Sequence, residues 1–243
     1  MTARRTIAAL VALLIALSLP MTSVAARKGT GSPGTLAAPT CTMPMSNADG
    51  LEILSTYYPG YWWDHTHLTV AVQSDPNVRP AQLAAVHAAI RTWDEILRTC
   101  FHDGITLTDV TGTFASEQRV ADIVVHYVPH AGGVQFGGYA ICGDHGCPNV
   151  LVRSDRPKSI GGAVYTPEYL GWVTLHELGH AIGLGHATNL DESTDLMGYG
   201  WPELGEPVLS QCDIDGIAFV FAWAIDGSTP HRPADGPFPC AAD

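Results

Sequence analysis

Basic residues are scarce in this chain of 243 residues: 12 Lys and Arg stand against 24 Asp and Glu, and the formal net charge is −12. A protein that binds nucleic acid needs a basic face for the phosphates. This charge balance therefore argues against a nucleic-acid partner and favours solubility. The acidic residues do not form the D-x-D-x-D-G run of an EF-hand loop either, so calcium binding stays open without a recognisable site.

Apolar runs long enough to cross a membrane are also missing. The longest one, Ile7–Leu19, has 13 residues, whereas a spanning helix needs about 20. It follows Arg4 and Arg5 and precedes the small residues Ser23–Ala26, which is the pattern of a secretory signal peptide. We therefore predict a signal peptide at residues 1–26, no membrane span, and a secreted, extracellular mature protein.

The rest of the chain contains no internal repeat and no appended binding domain. With 46% hydrophobic residues it has enough apolar material for one sizeable core. Residues 27–50 are rich in Gly, Pro, Thr and Ala, which predicts a flexible leader. We assign the globular domain to residues 51–226 and a Pro-rich tail to residues 227–243, and we expect a monomer.

Cysteine is present in an even number, six. In an exported chain this favours three disulfides, for which 15 connectivities exist. Cys142 and Cys147 flank a short loop and are predicted to pair with each other. Cys41 is predicted to be a disulfide partner in the leader, and Cys240 to pin the tail to a cysteine that the sequence does not identify. The alternative is a second zinc site built from Cys142, His145 and Cys147.

Hydrophobic periodicity predicts alternating strands and helices. Strands are predicted at residues 67–72, 105–110 and 121–127, and Pro80 opens a long helix in which apolar residues recur with a period near 3.6. Pro167 and Glu168 suit the first turn of a second helix. A final helix is predicted to begin after Ser210, which forms a near-capping box with Asp213.

The most informative stretch is HELGHAIGLGH, which begins at His176. Side chains four residues apart lie on one face of a helix, so His176 and His180 can reach one zinc ion at about 2.0–2.1 Å each. Glu177 lies about 100° round the same helix, where it can act on a metal-bound water. His186 would lie roughly 9 Å beyond His180 if the helix continued, so the chain must turn back. Gly183 allows this, because glycine accepts the positive φ of a helix C-cap. The alternative is a core helix with incidental histidines.

This H-E-x-x-H-x-x-G-x-x-H pattern resembles the zinc signature of the metzincin peptidases. The order of strand, long helix, strand and Ala-Asp-Ile-Val, and the Leu-Ser-x-x-Asp-Ile-x-Gly-Ile run from Leu209, are similar to the matrixins, the matrix metalloproteinases. The resemblance implies an α+β fold, in which a twisted mixed sheet is combined with a long helix, a zinc-binding helix and a C-terminal helix. It also implies an edge strand at residues 139–141 that pairs with the substrate backbone, and an interior strand at residues 149–152.

Metzincins also have a methionine turn beneath the metal, and Met197 follows His186 at the expected distance. The resemblance implies that Met197 packs under the three imidazoles and does not bind the metal. The Met-x-Tyr sequence that ends at Tyr199 is similar to astacins and serralysins and is absent from matrixins. Tyr199 is therefore either a metal-proximal group that stabilises an oxyanion or a packed wall residue. Trp201–Leu204 would form one wall of the specificity pocket.

The chain departs from the matrixin pattern in two places. Matrixins cap their zinc with the cysteine of a Pro-Arg-Cys-Gly motif, whereas Cys41 lies in Pro-Thr-Cys-Thr, so we interpret it as a disulfide partner and keep the zinc-capping role as an alternative. Matrixins also hold a structural zinc with histidines and an aspartate. His126, His130, Asp144 and His145 are available here, but their spacing does not match, and we predict a single zinc ion.

We therefore predict a secreted zinc-dependent endopeptidase that hydrolyses peptide bonds in a protein or peptide substrate. His176, His180 and His186 would bind one catalytic zinc ion, and Glu177 would be the general base acting on a zinc-bound water. Two alternatives remain open. One is a catalytically silent zinc-containing binding protein, which would be free to lose Glu177. The other is a zinc hydrolase of a different clan with a glutamate as its third ligand.

Overall fold

The structure is a computed structural model, and it describes eleven segments, all within the unit Pro33–Asp243: residues 39–44, 52–54, 62–76, 78–113, 121–128, 137–142, 146–155, 164–187, 194–198, 206–234 and 237–239. Several sequence predictions fall outside these segments. They concern the signal peptide and the residues Tyr199, Trp201–Leu204, Cys240, His130, Asp144 and His145. No helix in the described segments combines the length and the apolar character that a membrane crossing requires.

A five-stranded mixed sheet is the framework of the fold. Its strands lie in the order β3-β2-β4-β6-β5, and four of them are parallel, while β5 runs antiparallel to β6. A separate two-stranded antiparallel sheet joins β1 to β7. The strands are β1 (Glu52–Leu54), β2 (His67–Ser74), β3 (Thr106–Asp109), β4 (Ile123–Val128), β5 (Gly138–Ile141), β6 (Asn149–Arg153) and β7 (Pro237–Pro239).

Helices α1 (Pro80–Cys100) and α2 (Pro167–Ile182) pack against each other and against the sheet, α1 on β2 and β3, and α2 on β5 and β6. Trp93 of α1 is fully buried between them and donates its indole N–H to the Leu175 carbonyl of α2 at 2.9 Å. Helices α3 (Gln211–Val220) and α4 (Ala222–Ile225) follow. This arrangement places residues 176–182 of the HELGHAIGLGH stretch in the C-terminal half of α2, which packs against β5 and β6, and residues 183–186 just beyond its end.

The predicted α+β fold is confirmed. The strands predicted at residues 67–72, 105–110 and 121–127 correspond to β2, β3 and β4, and β5 lies at the sheet edge with β6 inside, as the matrixin resemblance implies. The capping box of α3 is present in both directions, with Ser210 as N-cap and Asp213 as its partner. The sequence did not predict β1, β7 or α4, which have only three, three and four residues.

The disulfides agree with the predicted pairing where it was specific. Cys142 is bonded to Cys147, and Cys41 is bonded to Cys100 at the end of α1. Cys212 is disulfide-bonded as well, and no cysteine in the described segments is free. Neither Cys142 nor Cys147 has a thiolate available for a second zinc site. For the same reason Cys41 does not act as a zinc-capping thiolate in this structure.

Residues 39–44 of the predicted flexible leader are fastened to two helices. The backbone N–H of Thr40 donates to the Cys100 carbonyl at 3.2 Å, beside the disulfide. The N–H of Met43 donates to Oε1 of Gln211 at 3.0 Å, and the N–H of Gln211 donates to the Pro44 carbonyl at 3.3 Å. A composition rich in small residues predicts flexibility, but it does not reveal a disulfide that closes a loop onto α1.

Candidate metal centre

Helix α2 is defined at both ends by its own sequence. The hydroxyl of its N-cap residue, Thr166, accepts the backbone N–H of Tyr169 at 3.2 Å, which satisfies one of the free donors of the first turn. The helix ends at Gly183, whose φ is 137°. The N–H of Leu184 then folds back to the Gly179 carbonyl at 2.9 Å. This reversal returns His186 to the helix, as the glycine in the motif predicts.

Substitution of Gly183 by alanine is expected to destabilise the fold by about 2–4 kcal/mol, because the added Cβ is strained at positive φ and overpacks the core. That Cβ would lie 2.7 Å from Cγ1 of Val220. Urea denaturation measures the effect. Gly171→Ala is the matched control in the same helix, since its Cβ would have Ala85 at 3.9 Å as its nearest neighbour, and we expect it to stabilise by about 0.5–1 kcal/mol. Equal stabilities of the two variants would contradict the proposed role of the turn.

The three histidines of the motif converge. Each imidazole offers one ring nitrogen as a ligand atom, and these three atoms all lie within 4.8 Å of one another. Nε2 of His180 and Nε2 of His186 are 3.0 Å apart. Two nitrogens that each lie 2.0–2.1 Å from a tetrahedral ion are about 3.3 Å apart, so this spacing suits a zinc ion. In the described segments no other group of His, Cys, Asp and Glu side chains forms such a cluster.

Two of the imidazoles are oriented by backbone carbonyls. Nδ1 of His176 lies 2.6 Å from the Leu196 carbonyl oxygen, and Nδ1 of His180 lies 2.8 Å from the Leu184 carbonyl oxygen. A carbonyl only accepts, so both Nδ1 atoms carry the proton and donate it. The lone pair is then on Nε2, which is the atom that can bind a metal.

Burial keeps the imidazoles neutral. It lowers the pKa of His176 to about 4 and that of His186 to about 3. For His180 burial also lowers the pKa, and the two neighbouring imidazoles lower it further. The neutral imidazole is the form that binds metal ions. The donor set therefore fits a borderline cation such as zinc at neutral pH.

Glu177 follows His176 on α2 and is buried, with 7% of its surface exposed. Burial raises the pKa of its carboxyl to about 8, and a hydrogen bond from the backbone N–H of Ala140 opposes that rise. A cation held by the imidazoles would favour the carboxylate form and lower this pKa again. The side chain passes close to β5, since a Cβ on Gly138 would lie 2.8 Å from Cγ of Glu177. Because Gly138 has no Cβ, β5 can lie directly beside the side chain of Glu177.

Met197 is fully buried and packs against the backbone of α2 between His176 and His180. A Cβ on Gly179 would lie 2.6 Å from its Sδ. The turn around Met197 is held by hydrogen bonds from the N–H of Leu196 to the Val208 carbonyl at 2.8 Å, and from Ala187 to the Met197 carbonyl at 3.0 Å. The thioether therefore packs on α2 at Gly179, the residue before His180.

Sequence reasoning missed four groups that act on the site: the carbonyls of Leu196 and Leu184, the N–H of Ala140 and the carboxylate of Asp195. Backbone groups cannot be recognised from residue types. Asp195 could have been recognised, because an aspartate often accepts the N–H two residues on in an Asx turn. Here Asp195 accepts the N–H of Met197 at 2.8 Å. His126, considered for a structural zinc, instead has its Nε2 at 2.8 Å from Oδ1 of Asn149.

No family model matches the sequence. The chain is similar to interstitial collagenase of Oryctolagus cuniculus, with 28% identity over 187 residues that cover 70% of this chain and 35% of that protein. It is similar to matrix metalloproteinase-16 of Homo sapiens, with 27% identity over 190 residues that cover 72% of this chain and 30% of that protein. The chain thus spans about a third of the length of these relatives. Among solved structures, high choriolytic enzyme 1, a hatching enzyme zinc-protease of Oryzias latipes, superposes with a TM-score of 0.31 and 16% identity, over 51% of this chain and 50% of that one.

Proposed function

We propose that this chain, which has a metzincin-like catalytic domain, is an exported zinc-dependent endopeptidase. The resemblance to matrix metalloproteinases is confirmed by relatives at 27–28% identity over about 70% of the chain. The chain spans only about a third of those proteins, so the proposed activity depends on the side chains of this chain. The matrix-metalloproteinase likeness is what points to a peptide or protein as the substrate.

The convergence of three neutral imidazoles beside a buried carboxylate carries the proposal. The 3.0 Å separation between Nε2 of His180 and Nε2 of His186 is close to the roughly 3.3 Å expected of two nitrogens that bind one tetrahedral ion. The Leu196 and Leu184 carbonyls hold Nδ1 of His176 and Nδ1 of His180, so the Nε2 lone pair of each of these two rings can bind a metal. We propose that His176, His180 and His186 hold one zinc ion, which leaves a fourth position for water or substrate.

Glu177 is the proposed general base. Bound zinc supplies Lewis-acid chemistry, which acidifies water and polarises a carbonyl oxygen. The carboxylate of Glu177 takes the proton of the attacking water and then delivers it to the nitrogen of the departing amine. The hydrogen bond from the Ala140 N–H keeps this carboxylate in one orientation during both transfers.

The outer edge of β5, the last strand in the sheet order, is the proposed substrate-binding edge. Tyr139 and Ile141 pair with Leu151 and Asn149 of β6 in antiparallel register, so the backbone groups of the intervening residues face away from β6. An extended peptide that pairs with this edge brings its backbone carbonyl beside Glu177, since the Ala140 N–H already contacts that carboxylate. Main-chain pairing of this kind accepts many side-chain sequences.

Export is supported by the disulfides. Cys41–Cys100 and Cys142–Cys147 form two of them, and Cys212 is in another. Disulfides of this kind persist in oxidising compartments and are rare in the cytosol. Together with the predicted signal peptide at residues 1–26, this supports an extracellular enzyme.

A casein digestion assay with a chelator control tests the function. The purified protein is expected to cleave casein, to lose the activity when a chelator removes the metal, and to recover it when one equivalent of zinc is restored, because the ligands form one site. A zinc-loaded protein that cleaves neither casein nor a peptide library would contradict the proposal and favour a silent zinc-containing binding protein.

A further inference from the structure

A buried carboxylate lies behind the metal centre and is neither a ligand nor the base. Asp195 is fully buried. Its Oδ1 accepts the backbone N–H of Met197 at 2.8 Å, and its Oδ2 accepts the hydroxyl of Ser210 at 2.5 Å. Ser210 is the N-cap of α3. Hydrogen bonds to a charged acceptor are stronger than neutral ones, so Asp195 fastens the methionine turn firmly to the start of α3.

The peptide group that Asp195 holds also orients a histidine of the site. The N–H of Met197 and the carbonyl of Leu196 belong to one planar peptide group, with the two dipoles at opposite edges. That carbonyl accepts Nδ1–H of His176 at 2.6 Å. The hydrogen bonds therefore form a chain from the Asp195 carboxylate through the peptide group to the imidazole. Each bond in such a chain polarises the next, so the carboxylate makes the carbonyl a stronger acceptor.

We infer that Asp195 is a positioning residue of the metal centre, which orients His176 and strengthens its Nε2 as a donor through the Leu196–Met197 peptide group. A carboxylate behind a histidine ligand raises the basicity of that ligand and fixes its ring. Here the carboxylate of Asp195 acts on the imidazole of His176 indirectly, because a peptide group lies between them. The inference rests on the proposed role of His176 as a zinc ligand.

Zinc affinity of the folded full chain, measured by competition with a fluorescent chelator, tests the inference. Asp195→Ala is expected to weaken zinc binding by about 10–100-fold, as loss of an outer partner does. Asp122→Ala is the matched control, because Oδ2 of Asp122 also accepts one backbone N–H and one hydroxyl, both from Thr69 at 2.7 Å. It lies on the sheet and is expected to change zinc affinity by less than about two-fold.

Asp195→Asn extends the test if the alanine variant does not fold, since the amide oxygen can still accept the Met197 N–H. It is expected to bind zinc with an affinity between those of the wild type and the alanine variant. In NMR spectra, the Nδ1 proton of His176 is expected to exchange with solvent faster in both variants than in Asp122→Ala. Wild-type affinity in the Asp195 variants, or an equal loss in Asp122→Ala, overturns the inference. A wild-type chain that does not bind zinc overturns the proposed function instead.

Discussion

Glu177→Gln is expected to lower kcat for peptide cleavage by about 10²–10⁴-fold, because the amide cannot take the proton of the attacking water. Glutamine has nearly the same shape, and its amide oxygen can still accept the Ala140 N–H that the carboxylate accepts now. The ligands of the proposed zinc are unchanged, so zinc content and the cooperativity of unfolding should remain those of the wild type. Steady-state kinetics on a fluorogenic peptide and metal analysis of the same preparation measure both quantities.

The matched control for this prediction is Glu168→Gln, the same substitution on the same helix. Glu168 is exposed in the first turn of α2, where a carboxylate is worth about 0.3–1 kcal/mol through the helix dipole. This variant should lose a little stability and keep its kcat. If Glu177→Gln has the same kcat as Glu168→Gln, Glu177 is not the general base, whether or not the zinc content has changed.

The elements that could be predicted from the sequence are those whose signal is local. Alternation predicted β2, in which Leu68, Val70 and Val72 are buried in the core. The strands predicted at residues 105–110 and 121–127 are β3 and β4. The capping box of α3 was readable because its two side chains lie three residues apart. The histidine motif was readable for the same reason. One helical turn and one glycine determine where its imidazoles point.

The rest depends on contacts between distant residues. The pairing of β1 with β7 joins residues near 53 and 238, and a Pro-Phe-Pro sequence does not predict a strand, because proline cannot donate to a ladder. The partner of Cys41 was one choice among many until the chain brought Cys100 beside it. Periodicity describes a segment in isolation, whereas these pairs are decided by the packing of the whole domain.

The site shows the same division. Residue types predicted the imidazoles and the carboxylate of Glu177, but not the backbone groups that orient them. The Leu196 and Leu184 carbonyls and the Ala140 N–H contact the site directly. Every residue except proline offers the same backbone groups, so only the fold decides which of them meet a functional side chain.

His186→Ala is expected to weaken zinc binding and to abolish peptide cleavage, because only two imidazole ligands remain. The loss of zinc affinity should be well above the roughly 10–100-fold that removal of an outer hydrogen-bond partner causes. His186 is the most informative of the three, since it is only partly buried and its removal leaves the helix intact. Chelator competition and metal analysis measure the affinity. His87→Ala is the control. His87 lies on α1, where its Nδ1 is 2.6 Å from Oδ2 of Asp109 on β3, and this variant should bind zinc as the wild type does.

Acid removes the same ligands by protonation, and the pKa shifts indicate where. In the unfolded chain a histidine has a pKa near 6.5, whereas burial lowers the pKa of His176 to about 4 and that of His186 to about 3. The folded site therefore stays deprotonated as the pH falls through 6.5, and proton competition for the ligands begins only near pH 4. The wild type should keep its zinc at pH 5.5 and release it below about pH 4. An unchanged zinc affinity in His186→Ala would exclude His186 as a ligand. Release of zinc near pH 6.5 with the fold intact would contradict a buried three-histidine site.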